Sequence, residues 1–340
     1  MDGTVQSFNC LNYAGLLYTK SNKKTPFLNM ISSHRKYTNS VEFITGQFYT
    51  NEEAEIPAIS ETASLTAPEA SFVTRTQATN VTQIFMESVA ISYAKQSNMG
   101  TLSGVNLAGQ VANPQNEIDF QVARKMEKIA RSIEKTFIQG TYNKATSDST
   151  INKTRGMNEA ITTNVVDANS APLNIWLVND AQQKIYDSQG DISDIYLWTD
   201  TVGLNQLQAD AIKYGMKMGD PYISAYGVQV WDLILPLGIV HIALGEFIPS
   251  GTAFLLNFNV IGPVEQQTPN KGNFFLEKLS KTGAGTKYQI FGQIGLDHGP
   301  EWMHAKITGL KTTFDKPTGA IDVNVTNTTT APVNTKEVSA

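Results

Sequence analysis

The sequence lacks the features that would tie it to a membrane or hold it together by disulfide bonds. Cys10 is the single cysteine in 340 residues, so no disulfide can form within the chain, and stability must come from packing or assembly. No run approaches the roughly 18 consecutive apolar residues of a membrane-spanning helix. Asp2 follows Met1 without the basic and apolar segment of a secretory signal. These absences predict a chain that is cytosolic when made and has no membrane partner.

Charge is also scarce. Charged residues form 17% of the chain, below the roughly 25% of ordinary soluble proteins. The net charge of −5 argues against a dedicated nucleic-acid binder, which normally carries a basic excess. A surface with little charge suits extensive burial against other subunits, and it equally suits a plain β-rich protein.

Residue patterns that would indicate a catalytic, cofactor or metal site are missing. The stretch KTGAGTK at 281–287 lacks the glycine spacing of a phosphate-binding loop and lies between two predicted strands. Cys10 has no neighbouring group that would activate it as a nucleophile. One cluster of metal-ligand types has histidines six residues apart, which fits no zinc pattern; its members are Asp297, His298, Glu301 and His304.

Residues 1–36 have the composition of an N-terminal arm. Two apolar islands are separated by lysines and by Pro26, and they need another surface to bury them. That surface is either a neighbouring subunit or, if the second island forms a short helix, the chain's own body. The residues assigned to an intersubunit contact are Leu16, Leu17, Phe27 and Leu28.

Residues 37–74 are acidic and contain no lysine or arginine. Pro57 and Pro68 bracket a Ser/Thr/Ala-rich middle. β-prone stretches lie on either side, with Val41 and Phe43 before it and Val89, Ile91 and Tyr93 after it. The pattern predicts a protruding two-stranded loop that lies on a partner, because an isolated ribbon is marginally stable in water; a disordered surface loop is the alternative. The acids assigned to the contact are Glu52, Glu53, Glu55, Glu61 and Glu69.

A long helix is the clearest predicted element. Asn113-Pro114 is a typical start and Gly140 a typical stop, giving about 26 residues or roughly 39 Å. Apolar residues recur at gaps of three and four, which places them on one core-facing stripe: Ile118, Val122, Met126, Ile129, Ile133 and Phe137.

The opposite side of this helix carries a cationic row, with Glu127 and Glu134 predicted to flank it and relieve repulsion. The row is either a solvated face or a surface that meets negative charge, from a neighbour's acidic loop or from DNA. Its members are Arg124, Lys128, Arg131 and Lys135.

The rest of the chain is mixed. Residues 160–250 alternate helical and strand patterns; Asn174 begins a stretch that fits a strand or the start of a helix, and 202–214 has helical spacing. Residues 252–310 are β-rich, and a Thr/Asn/Val tail follows Pro317. The fold class is therefore α+β.

Four regions resemble one family, the major capsid proteins of tailed bacteriophages. The resemblance rests on the order and spacing of the four regions taken together. They are NYAGLL at 12–17 with TPFLNMI at 25–31, NVTQIF at 80–85 with VAIS at 89–92, KIARSIE at 128–134, and WMHAKITGL at 302–310.

The resemblance implies the Hong Kong 97 capsid fold, in which an arm and an extended loop reach adjacent subunits and the A domain lies at the capsomer centre. The implied parts are the arm, 1–36; the extended loop and its base strands, 37–93; the P domain, 94–159 and 251–314, with the spine helix at about 114–139; the A domain, 160–250; and a C-terminal tail or arm, 315–340.

The resemblance also implies a function. Hexamers and pentamers of the chain would form an icosahedral head around phage DNA, assembled in the bacterial cytoplasm, with a portal and a separate scaffolding protein as partners and a decoration protein as a further one that the family allows. Some members cross-link loops through a Lys–Asn isopeptide bond, but residues 37–74 hold no lysine, so non-covalent assembly is expected, and no N-terminal segment is expected to be cleaved.

Two alternatives stay open at this level. An encapsulin-like nanocompartment shell would share the fold and enclose a cargo enzyme. An α/β enzyme built on residues 160–250 would need convergent catalytic groups, whereas the sequence offers only Asp191, Asp194, Asp200 and His241, scattered along that region.

Overall fold

The computed structural model describes residues 24–52, 54–67, 72–94, 117–216, 218–281 and 283–315. Five α-helices lie in these ranges: α1 Pro26–Ile31, α2 Glu117–Gln139, α3 Met157–Ala160, α4 Ile175–Asp187 and α5 Thr201–Lys213. The strands are β1 Lys36–Thr38, β2 Glu42–Tyr49, β3 Arg75–Val81, β4 Gln83–Ser92, β5 Val165–Asp167, β6 Ile195–Thr199, β7 Tyr222–Ile223, β8 Gln229–Leu235, β9 Gly238–Leu244, β10 Ala253–Leu256, β11 Gly262–Gln266, β12 Phe275–Lys278, β13 Gly285–Asp297 and β14 Ala305–Thr308.

Three sheets organise the chain. A five-stranded sheet has the order β1-β11-β13-β12, with β4 also pairing along β13. A seven-stranded sheet has the order β5-β14-β10-β6-β9-β8-β7, and β2 with β3 forms a separate two-stranded ribbon. Because β10 and β14 pair into the seven-stranded sheet, this sheet joins segments on both sides of residue 250.

Two apolar cores lie on opposite faces of the seven-stranded sheet. Alternate residues of a strand face opposite ways, so Trp198 of β6 belongs to the first core and the adjacent Leu197 to the second. The first core packs α1, α2 and the five-stranded sheet together, and the second packs α4 and α5 on the sheet. Asn174 caps α4 by accepting from the Leu177 N–H at 2.9 Å, which decides in favour of a helix at this point of the sequence.

The long helix ends at Gln139, as the Gly140 stop predicts. A side chain at Gly140 would overlap the carbonyl oxygens of Thr136 and Thr154, so packing requires glycine there. The predicted start at Asn113-Pro114 lies outside the described residues.

The apolar stripe of α2 is buried in its second half only. Ile129, Ile133 and Phe137 are in the first core, and Val122 packs at its edge. The placement of Met126 in the core is wrong, because its side chain is 39% exposed. The buried members of the stripe begin at Ile129. Before that point, Ile118 and Val122 are only partly buried.

Candidate subunit-contact surfaces

The two-stranded ribbon ends in a tip, residues 50–74, whose described residues are all exposed. Strands β2 and β3 pair antiparallel from Glu42 opposite Val81 out to Tyr49 opposite Arg75, with an irregularity between Ile44 and Gly46. Beyond them the segment 50–74 carries large apolar side chains that its own chain leaves in solvent. They include Ile56 at 95%, Ile59 at 70%, Leu65 at 86% and Phe72 at 88% exposure.

The sequence reasoning did not single out these exposed apolar residues, although they are visible as isolated large side chains in a Ser/Thr/Ala-rich stretch. The predicted acids Glu52, Glu55 and Glu61 are exposed beside them. Glu53 and Glu69 lie outside the described residues. The ribbon tip is therefore both acidic and apolar.

The root of the ribbon is held by buried polar contacts. Asn80 in β3 is fully buried, and its side chain bonds the N–H of Val81, the carbonyl of Leu296 and both backbone groups of Arg155. At the surface, the Glu42 carboxylate accepts from Lys144 Nζ at 2.6 Å, which holds the pKa of Glu42 below its usual value. These bonds fix the base of the ribbon relative to β13 and to the segment around Arg155.

The cationic row on α2 is partly neutralised within the chain. Glu87 of β4 pairs with Lys128 and, at 2.8 Å, with Lys125. The hydrogen bonds from Lys125 and Lys128 lower the pKa of Glu87. Arg124 pairs with Glu127 at 2.8 Å, as predicted for that acid. Glu87 was not found from the sequence, because its pairing with α2 depends on how β4 packs against the helix.

The remaining members of the row differ in exposure. Lys135 is exposed and Arg131 is half-buried. The exposed cations of the row are therefore Lys128, which is paired with Glu87, and Lys135.

The second island of the arm folds onto its own chain. Phe27 is fully buried and meets the rings of Trp198 and Phe258 edge to face at 5.8 and 5.6 Å. Its assignment to an intersubunit contact is therefore wrong, since the first core needs this ring. Leu28 packs against the same cluster while remaining partly exposed. Leu16 and Leu17 lie outside the described residues.

Glu134 also departs from the prediction that it flanks the row. It is fully buried in the first core, and its Oε2 accepts from the Leu28 N–H at 3.2 Å. Burial raises the pKa of Glu134 to about 8.

The polar residues considered for catalysis have local partners. Asp200 caps α5 by accepting from the Gly203 N–H at 2.7 Å, and Asp191 accepts from the Ser193 N–H at 2.9 Å. His241 Nδ1 lies 2.6 Å from Asp232 Oδ1, and its Nε2 lies 3.8 Å from Asp194. This His–Asp arrangement sits on the seven-stranded sheet beside Tyr222.

The four residues considered as metal ligands, Asp297, His298, Glu301 and His304, instead bond to other parts of the chain. His304 is fully buried; its Nδ1 faces the Asn257 N–H and its Nε2 the His298 carbonyl. Burial lowers the pKa of His304 to about 4. Glu301 accepts from Thr162 and Thr163, and Asp297 pairs with Lys36. Within the described ranges, no three His, Cys, Asp or Glu residues gather as a metal site would require.

The helices offer no membrane span. In the part of the chain that the structure describes, none is long and apolar enough to cross a bilayer.

A comparison with protein families identifies one family. The model of the family described as SU10 major capsid protein matches residues 1–311. No curated protein matches the sequence.

Solved structures of low sequence identity share the fold. The cyanophage A-1(L) capsid subunit has a TM-score of 0.65 at 9% identity, covering 92% of this chain and 99% of that one. The holo-SrpI encapsulin of Synechococcus elongatus PCC 7942 has a TM-score of 0.61 at 10% identity, covering 92% and 97%. The capsid protein of cyanophage P-SCSP1u has a TM-score of 0.55 at 10% identity, covering 91% and 94%. The fold is the Hong Kong 97 capsid fold, and the predicted α+β class is confirmed.

Proposed function

Because the chain belongs to the SU10 major capsid protein family, and is thus a structural protein of a phage virion and not an enzyme, we propose that it assembles as hexamers and pentamers joined by non-covalent contacts. These capsomers form the icosahedral head around packaged double-stranded DNA. The observation that carries the proposal is the exposed, apolar and acidic ribbon, which requires a partner surface. A neighbouring copy of the chain supplies that surface in a shell built from many copies.

Apolar burial dominates the proposed ribbon contact. Full burial of a large aliphatic or aromatic side chain contributes about 1.5–3 kcal/mol, and Ile56, Leu65 and Phe72 are all more than four-fifths exposed in the single chain. An exposed ion pair contributes only about 0–1 kcal/mol. The apolar residues therefore provide most of the affinity, and the acids orient the ribbon on its partner.

The acids of the ribbon face the cationic row of a neighbour in this proposal. Lys135 is exposed and lies beyond the internal pairing of Lys128 with Glu87, so it is the member of the row that meets Glu52 and Glu55. Attraction between opposite surfaces fixes the register of the contact more than its strength. A row that faces packaged DNA is the alternative arrangement.

The contact is non-covalent because residues 37–74 contain no lysine to form an isopeptide bond. Shells of the purified protein should therefore dissolve to single chains in hot detergent. Ladders of linked chains under those conditions would contradict this part of the proposal.

The domains take the roles that the family resemblance implies. We assign residues 160–250 to the A domain, 94–159 and 251–314 to the P domain with α2 as its spine, 37–93 to the extended loop, 1–36 to the arm and 315–340 to a tail or second arm. Portal and scaffolding proteins are the proposed assembly partners, a decoration protein is a further one, and assembly takes place in the host cytoplasm.

The direct test is electron microscopy of particles made by the full-length chain, expressed alone and together with the scaffolding gene of its phage. Closed shells with five-fold vertices are expected. A ribbon that stays away from neighbouring subunits in those shells would overturn the contact proposal, while leaving the family membership intact.

A further inference from the structure

Glu134 is a carboxyl group enclosed between two elements that are far apart in sequence. It projects from α2 into the first core, where its relative exposure is 0%. Its Oε2 accepts from the Leu28 N–H of α1 at 3.2 Å, and the neighbouring Phe27 N–H also acts to lower the pKa of the carboxyl group. The other oxygen, Oε1, is buried and has no hydrogen-bond partner. The carboxyl group therefore joins α1 to the spine helix with only part of its bonding capacity used.

The surroundings of this carboxyl group are apolar. Phe27, Met30 and Ile31 of α1 are fully buried in the same core, so α1 and Glu134 are enclosed together. On α2, Arg131 lies one turn earlier and Lys135 is the next residue, while α1 itself carries no charge. The Glu246 carboxylate, in the bend after β9, is near enough to act on Glu134. Burial raises the pKa of Glu134, the Leu28 and Phe27 N–H groups oppose the rise, and the Glu246 carboxylate adds to it.

We propose that Glu134 is a proton-dependent latch that holds α1 on the spine helix when the carboxyl group is neutral and releases it when the group is ionised. An ionised carboxylate in this core would need hydration that the docked arm excludes. Undocking α1 admits water to the carboxylate and exposes Phe27, Met30 and Ile31. The released segment 24–31 is then free to bury its apolar face elsewhere, including on a neighbouring copy.

The direction of the pH effect follows from proton linkage. The docked state holds its proton up to about pH 8, whereas an undocked glutamate ionises with a pKa near 4.3. Docking is therefore strongest below the undocked pKa and weakens as pH rises toward 8. Across that window the docked state binds one proton more, so the docking constant falls about tenfold per pH unit, and it levels off above pH 8.

Hydrogen exchange of the unassembled full-length chain tests the latch. Protection factors of the Phe27–Ile31 amides, corrected for the intrinsic pH dependence of exchange, should fall about tenfold per pH unit between about pH 6.5 and 8. The Leu255 amide, in the other core, serves as the reference for global unfolding and should not follow this slope. Glu134→Gln, which keeps the acceptor oxygen without the charge, should remove the slope. Glu246→Gln, which removes a charge that raises the pKa of the docked Glu134, should make the slope level off at a lower pH.

A wild-type arm whose protection is independent of pH would overturn the proposal, as would an unchanged slope in Glu134→Gln. If Glu134→Gln does not fold, an infrared titration of the wild-type protein tests the protonation of Glu134 directly. The band of a buried protonated carboxyl group should persist at pH 7 and disappear by about pH 9. Its absence at pH 7 would equally overturn the latch.

Discussion

The backbone N–H of Arg155 donates to the side-chain oxygen of Asn80 at 2.8 Å, and the Asn80 amide returns a 3.2 Å hydrogen bond to the Arg155 carbonyl. The same amide donates to the Leu296 carbonyl at 2.7 Å, and the Val81 N–H completes the set at 2.9 Å. One buried side chain thus ties the ribbon, the segment after the spine helix and β13 together. The direction in which the ribbon leaves the body depends on this junction.

Replacing Asn80 by alanine should destabilise the chain by several kcal/mol, because each buried group left without a partner costs about 1–3 kcal/mol. Asn80→Asp should be destabilising as well, since a carboxylate cannot donate to Leu296. Denaturant unfolding of the unassembled chain measures the effect. Asn143→Ala is the matched control, because its amide bonds the Ile151 carbonyl at an exposed site and its loss should change the unfolding free energy by less than about 0.5 kcal/mol. Equal effects at the two positions would contradict the junction.

The apolar ribbon tip should matter for assembly and not for folding. Leu65→Ser and Phe72→Ser remove side chains that are 86% and 88% exposed, so the unfolding free energy should stay within about 0.5 kcal/mol of wild type. Assembly measured by light scattering should shift to severalfold higher protein concentration. Ile151→Ser, at another exposed apolar residue outside the ribbon, is the control. If it delays assembly as much as the ribbon variants do, the ribbon has no special part in the contact.

A charge exchange tests the orientation of the ribbon on a neighbour. Lys135 is the suitable member of the row, because Arg124 and Lys128 already pair within the chain and changing them would disturb α2. Lys135→Glu should weaken assembly, most clearly at low salt, and Glu55→Lys in the same chain should partly restore it. Loss of DNA packaging in normally assembled shells, with no restoration by Glu55→Lys, would instead place the row against DNA.

Acid should destabilise the subunit through His304. Burial holds its pKa at about 4, below the ordinary value near 6.5. The neutral ring therefore stabilises the fold above pH 6.5, and this contribution is lost as pH falls through that window toward 4. Glu134 acts in the opposite direction, because its raised pKa favours folding as pH falls.

The two trends can be separated in the Glu134→Gln background. There the unfolding free energy of the unassembled chain should drop between pH 6.5 and 4.5 by an amount on the order of 1–3 kcal/mol. His298, which is also buried with a lowered pKa, adds to the same trend. If the unfolding free energy of Glu134→Gln stays constant across this range, the buried histidines do not destabilise the subunit in acid.

Features set by local sequence were predictable, and features set by distant packing were not. The second strand of the ribbon is β3, whereas the β-prone stretch at Val89 and Ile91, predicted for that role, lies in β4 and pairs with β13. The end of α2 at Gln139 is predicted by Gly140, and β2 is predicted by the alternation of Val41 and Phe43. Each depends on residues within a few positions of the element itself. The lysine-free composition of the ribbon could likewise be read directly from the sequence.

Two of the errors concern the arm and the face of α2 that it covers. Helical periodicity places Glu134 at the edge of the apolar stripe, where a solvated acid is the ordinary expectation. Its burial depends on α1, about 100 residues earlier in the chain, packing across α2 through Phe27. The same packing removes Phe27 from the surface. Pairing of Glu87 with Lys125 and Lys128 likewise depends on tertiary placement of β4.

The measurement that tests the central claim most directly is electron microscopy of the full-length protein, with light scattering of the same samples over a range of salt concentrations. We predict closed shells in which residues 50–74 of each subunit lie on an adjacent copy, and a large increase in scattering when they form. A chain that stays monomeric by light scattering at every salt concentration, with and without a co-expressed scaffolding protein, would contradict the account.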